Sequence, residues 1–421
     1  MTLRQVLRRD YLHRGFLDNW NALVNWTNVA WQVFHLAIGG VLLVLLWVVL
    51  ARVWGADRFG WFNYLYILIT MGGLFANFGL DVLLTRSVAG GLHGIWLPLL
   101  RLKWVALLGG LVIFSVLAWS LPQGLRAPYF TLLVGVLIFS GTVFLNGLLR
   151  GLDRLDLEAK IGLFQKIVFV LSSLAGVWMQ GYGLLWVGGC YLGSQVLTFG
   201  LTWIVIPQKS IIIKQASVDG SSSNCFTEAW PLFGISILTF LVLRIDIFFL
   251  QWLAGPEEVG VYAAAFRFLE GLVLMATAYL AALFPRLVAQ IRLGAEWTSI
   301  VKRSFYLVFV GGVLSGLLLW CLAPYLTTLL LGPAFRSSQG LLRGLVMVVP
   351  VLFTTLLLGQ VLIAQDRQRL YAGGLVAGTG VAGAVALLAI PGWGAWGAVV
   401  AVWAREICQF LFLVAVLKRR T

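Results

Sequence analysis

Twelve apolar stretches constrain this chain more than any other feature: residues 29–51, 61–84, 97–120, 128–149, 162–180, 183–206, 230–253, 259–284, 302–325, 339–363, 371–391 and 394–417. Each is long enough to cross a hydrocarbon core about 30 Å thick as a helix rising about 1.5 Å per residue. Backbone placed in lipid must satisfy its own hydrogen bonds, and a helix does so within one segment. The stretches therefore predict an all-α polytopic membrane protein with twelve transmembrane helices. Composition agrees: 61% of the 421 residues are hydrophobic and 11% are charged, where a soluble domain carries about 25% charged residues. A polar, Ser-rich stretch separates six helices from six. It divides the chain into a cytoplasmic amphipathic N-terminal segment (1–20), an N-lobe (21–206), a cytoplasmic inter-lobe loop (207–228) and a C-lobe (229–421).

The net charge of +14 reads as topology rather than nucleic-acid affinity, because Lys and Arg collect on the cytoplasmic side of membrane proteins. With the N-terminus in the cytoplasm, 22 of the 30 lysines and arginines fall in cytoplasmic tails and loops, Lys103 among them. Five lie on the other face, and three, Arg244, Arg267 and Arg405, lie within spans. That asymmetry puts both termini in the cytoplasm. Met1 to Trp20 lacks the apolar core and small-residue site of a cleavable signal, so the first helix is expected to act as the insertion signal. Four scattered cysteines (Cys190, Cys225, Cys321, Cys408) have no spacing for a metal site or a disulfide framework.

The stretch Thr239–Glu270 concentrates charge where charge is costly. It is two apolar runs joined at Gly255-Pro256, with Arg244 and Asp246 before the turn and Arg267 and Glu270 after it. Arg244 lies 12 residues before Pro256 and Arg267 lies 11 after it, so both sit roughly 17 Å from the turn, near mid-membrane. A charge at that depth faces a cavity or a partner rather than lipid. Arg267 and Glu270 share one helix face and can pair. Residues 244 and 246 are about 200° apart around a helix, so they cannot face the same cavity. An Asp246–Arg267 bridge across the hairpin is the expected second pair. The four charges serve either as a substrate site or as a static ion-pair cluster; Arg405-Glu406 in the last helix reads as a structural pair within its lobe.

The halves repeat at an offset of 200 residues. Gly55-Ala-Asp57-Arg-Phe-Gly60-Trp-Phe62 aligns with Gly255-Pro-Glu257-Glu-Val-Gly260-Val-Tyr262, and Leu83-Leu-Thr-Arg86-Ser-Val88-Ala89 with Leu283-Phe-Pro-Arg286-Leu-Val288-Ala289. Six helices lie between the copies, so both have the same orientation. This is a parallel repeat with a pseudo-two-fold axis along the membrane normal, an arrangement typical of secondary transporters that rock one half against the other.

The blocks Ala51–Phe62 and Phe78-Gly79-Leu-Asp81 to Arg86 resemble the opening helices of the Wzx-type polysaccharide flippases of the MOP exporter superfamily. Leu243-Arg244-Ile-Asp246, Gly255 to Arg267 and Phe284-Pro285-Arg286 are similar to their seventh and eighth helices. The resemblance implies two six-helix lobes in a V around a central, cationic cavity lined by helices one, two, seven and eight. It implies a polyprenyl-pyrophosphate-linked oligosaccharide as substrate, carried from the cytoplasmic to the outer leaflet of a bacterial inner membrane. The cavity positions expected here are Arg244, Arg267, Asp246 and Glu270, joined by Asn28, Gln32 and Asn77 from the first two helices. Asp246, Glu270 and Asp81 are the candidates for a coupling H+ or Na+. Arg86 and Arg286 mark the cytoplasmic entrance.

Arginine suits a pyrophosphate because its planar fork holds phosphate oxygens and its charge survives burial. There is no GxxxxGK[ST] loop for ATP, no HExxH or GxSxG motif, and no outer loop large enough for a catalytic domain. The chain reads as a transporter rather than an enzyme, without cofactor, metal or nucleic acid. Its expected partners are the lipid-linked glycan, membrane lipids, and a polysaccharide polymerase or chain-length protein. A cation-coupled multidrug or small-molecule exporter of the same superfamily is the alternative. A membrane glycosyltransferase is disfavoured by the short loops.

Overall fold

The computed structural model describes residues 26–89, 96–178, 183–206, 222–292 and 297–418. The N-terminal segment 1–20 and most of the 207–228 stretch lie outside these residues. The helices in chain order are α1 (Trp26–Asn77), α2 (Leu80–Ala89), α3 (Trp96–Leu117), α4 (Gln123–Gly151), α5 (Leu155–Trp178) and α6 (Leu184–Val205). They continue with α7 (Ser222–Leu253), α8 (Pro256–Arg292), α9 (Trp297–Tyr325), α10 (Ser338–Val346), α11 (Val349–Ala364), α12 (Gln368–Trp393) and α13 (Ala395–Lys418). Helix α7 begins at Ser222, so the last seven residues of the stretch read as a loop are helical. Among the described residues the fold is all helical, without strands.

Ten of these helices are long and apolar enough to cross a membrane, and α10 with α11, bent by 46° at their junction, adds an eleventh. The chain is a multi-pass membrane protein. Large apolar side chains such as Leu36, Val112 and Leu388 stand exposed on its helices, where lipid rather than water is the fitting neighbour. Helix α1 contains a span of 48 residues, far more than one crossing requires, and it changes direction at Gly55 (φ 71°, ψ −179°). The same conformational need recurs at Gly255 (φ 90°) between α7 and α8. Only glycine adopts such backbone at no steric cost.

The described residues pack into two compact units. The first combines residues 26–46 with Ile69–Gly234; the second combines Trp47–Leu68 with residues 235–418. In the first, α4 is the central helix, two-thirds buried, and packs against α2 and α6. In the second, α11 occupies that position, flanked by α8, α9 and α13.

Within the second unit the two repeat motifs meet. A Cβ on Gly60 would lie 1.7 Å from the Pro256 carbonyl oxygen, and one on Gly260 would lie 2.0 Å from that of Ala56. The contacts are reciprocal at the 200-residue offset, and neither position has room for a side chain.

Helix breaks are closed by side chains from neighbouring helices. Between α1 and α2 the backbone turns through Phe78 (φ 48°) and Gly79 (φ 70°). A bulky residue with positive φ is a strained outlier, and the Phe78 ring is held in stacks on Phe226 and Phe233. The Ala76 carbonyl at this break accepts a hydrogen bond from Lys103 Nζ at 2.9 Å. Between α10 and α11, Val348 N bonds Leu345 O instead of continuing the α pattern, and Trp403 Nε1 takes the Gly344 carbonyl at 3.0 Å.

Candidate functional site

The second unit places two arginines on one carboxylate. Arg244 of α7 donates from Nη2 to Glu270 Oε1, and Arg267 donates from Nη1 to Glu270 Oε2 at 2.8 Å. The three side chains are 22%, 27% and 27% exposed, so the cluster borders open space. The Arg267 guanidinium lies 3.9 Å from the Trp47 ring centroid, and Arg244 lies 5.9 Å from that of Phe266. A guanidinium has five N–H donors; among the described residues each arginine commits one of them, to Glu270. Two positive charges face one negative charge.

Asp246 does not join this cluster. Its side chain is buried, accepts a hydrogen bond from the Tyr262 hydroxyl, and accepts another from Ile247 N at 2.9 Å. Behind it, Arg405 donates to the Val242 carbonyl at 2.6 Å and to Glu406 at 2.7 and 3.0 Å. The expected Asp246–Arg267 bridge is absent. The reason is the helical angle: Arg244 turns to Glu270, so Asp246, on the opposite side of α7, turns into the body of the unit. Glu270 receives both arginines in its place.

An aromatic layer beside Arg267 stands outside the expected site residues. Trp47 packs edge-on to Phe59 and Tyr66 and tilted against Phe62, with Trp54 edge-on to Phe62. The spacing of residues 59, 62 and 66 is the signal for one aromatic helix face, but it does not say which charge that face meets.

The expected first-half positions are spent on structure. Asn28 Nδ2 donates to the Asp153 carbonyl at 2.8 Å and its Oδ1 accepts from Asp156 N at 3.2 Å; Gln32 Nε2 donates to Leu155 O at 3.3 Å. Both fasten α1 to the α4–α5 turn. Asn77 Oδ1 accepts from Lys103 Nζ at 3.0 Å and from Ser140 Oγ at 2.8 Å. Lys103, expected in a cytoplasmic loop, is instead buried on α3, with a third bond to Ser140. The helix break supplies the unpaired carbonyl that draws it inward. Asp81 lies 4.0 Å from Arg150, which holds Glu158 through two nitrogens. Arg86 and Arg286 are exposed near the ends of α2 and α8.

Residues 26–290, more than half of the chain, match the model of a family described as polysaccharide biosynthesis protein. The chain belongs to that family. Both motif copies and Arg244, Asp246, Arg267 and Glu270 fall inside the matched residues. Over 195 residues the chain is 27% identical to a Shigella dysenteriae protein described as a candidate O-antigen transporter. That match covers 45% of this chain and spans about half, 48%, of the relative's length. Two solved structures share the fold. An inward-facing multidrug resistance transporter of the MATE family, in the MOP superfamily, aligns with a TM-score of 0.71 at 14% identity, over 92% of this chain and 98% of that one. The lipid II flippase MurJ, in an inward closed conformation, aligns with a TM-score of 0.70 at 13% identity, over 92% of this chain and 87% of that one. The MOP-superfamily transporter fold expected from the motifs is the fold of this family member.

Proposed function

We propose that this protein is a secondary-active flippase. It moves a polyprenyl-pyrophosphate-linked oligosaccharide from the cytoplasmic to the outer leaflet of a bacterial inner membrane by alternating access, for cell-surface polysaccharide assembly. The observation that carries this reading is the sharing of Glu270 by Arg244 and Arg267 at a partly open position. A diphosphate diester brings two negative charges and a row of acceptor oxygens, which match two guanidinium forks better than a lone carboxylate does. In this mechanism the diphosphate displaces Glu270, and a proton or sodium ion neutralises the freed carboxylate. Trp47, whose ring lies under the Arg267 guanidinium, holds that fork in place for the diphosphate.

On this reading the two arms of α1 on either side of Gly55 are separate spans, which gives twelve crossings in two lobes, with both termini in the cytoplasm. Arg86 and Arg286 then stand where the head group enters. The test is glycan export in cells. Arg244→Ala and Arg267→Ala should each lower export roughly 10–100-fold, the loss of one or two charge-assisted hydrogen bonds, with unchanged protein in the membrane. Full export by both variants would remove the cationic site from the mechanism.

A further inference from the structure

We propose that a cleft at one end of the second unit, where α8, α9, α11 and α13 reach their ends, binds an anionic phospholipid of the surrounding bilayer. The cleft has a volume of about 580 Å³. Its floor is apolar: Ile291, Val301, Val361 and Leu417 belong to one packed cluster and line it together. Its rim carries three cations, Lys302, Arg367 and Lys418, against one carboxylate, Asp366. Thr298, in the first turn of α9, also faces the cleft. The amide-rich N-terminus of a long helix therefore opens into it, and that end favours an anion.

Depth decides the kind of anion. Ile291 is next to the last residue of α8, Lys302 lies in the second turn of α9, Arg367 is in the α11–α12 turn and Lys418 ends α13. Helix ends of a membrane bundle stand at head-group level, and long basic side chains there reach the phosphate plane. The cations thus lie at phosphate depth while the floor continues toward the hydrocarbon. Free phosphate has no use for that floor, and an apolar peptide segment has none for the cations. Basic pockets between helix ends on the cytoplasmic side bind lipid head groups, and the charge asymmetry of the chain assigns this end to the cytoplasm. Arg367 is held in place by its contact with the Val416 carbonyl at 3.5 Å, so the rim is partly built before the lipid arrives.

The test is native mass spectrometry of the full-length protein released from vesicles of equal phosphatidylglycerol and phosphatidylcholine. Wild-type protein should retain phosphatidylglycerol in preference, and inorganic phosphate at millimolar concentration should not displace it. Lys302→Glu with Lys418→Glu should reduce the retained fraction by at least about tenfold. Arg303→Glu, an exposed neighbour on α9 that does not line the cleft, should leave it unchanged. Should the double variant lose its fold, Lys302→Gln alone, at an exposed position, should still reduce retention severalfold. Equal retention in these variants, displacement by inorganic phosphate, or no preference for phosphatidylglycerol overturns the proposal.

Discussion

Lys103 in the first unit and the Arg244–Arg267 pair in the second are all cations set in apolar helices, and they are held in different ways. The Lys103 ammonium is fully buried and ends on three neutral oxygens, those of Ala76, Asn77 and Ser140. It sits where α1 stops, at the negative end of the helix dipole, and closes a break in the backbone. The arginines of the second unit stay about a quarter exposed and depend on one shared carboxylate. A cation saturated by fixed neutral acceptors is a brace. Two cations that share one anion beside open space can exchange that anion for another. The contrast separates the scaffold from the candidate site without reference to any relative.

Four substitutions break or sharpen this contrast. The largest effect is expected from Gly260→Leu. It drives a side chain into the Ala56 carbonyl, at or above the upper end of the roughly 1–3 kcal/mol typical of overpacking. The frame that sets Trp47 beside Arg267 should be lost, seen as aggregation in size-exclusion chromatography of the purified protein. Glu270→Gln keeps the shape and removes the shared anion. If the arginines are an exchange site, affinity for a lipid diphosphate should rise about tenfold while export falls, because release slows; a static brace would lose stability with no gain in affinity. Lys103→Met should do the reverse. It should lower thermal stability by about 1–3 kcal/mol, the cost of buried oxygens left unpaired, while export per folded molecule stays unchanged. Asn28→Ala should cost only about 1 kcal/mol, read as a small drop in melting temperature with normal export.

Much of this architecture was legible in the sequence, because hydropathy and helix length act locally. The apolar stretches located the helices, and Gly55 and Gly255 marked the turns. Counting residues from Pro256 placed Arg244 and Arg267 at one depth. What could not be read was which side chain meets which across helices. The angle between residues 244 and 246 excluded a common face, yet it could not say that Glu270 would take both arginines and Tyr262 would take Asp246. Lys103 was misassigned for the same reason: a lysine seven residues into an apolar run looks like a span edge until the break at Phe78–Gly79 supplies a free carbonyl. Asn28 and Gln32 stand among the cavity positions that the resemblance implies, and only the position of the α4–α5 turn shows their hydrogen bonds.

The most direct test of the central claim is translocation of a labelled polyprenyl-pyrophosphate oligosaccharide in liposomes that contain this protein alone, with and without a proton or sodium gradient. The account predicts movement that depends on one of the gradients, falls roughly 10–100-fold in Arg267→Ala and persists in Lys103→Met. Translocation that is equal in wild type and Arg267→Ala, or absent for folded protein under both gradients, would contradict it.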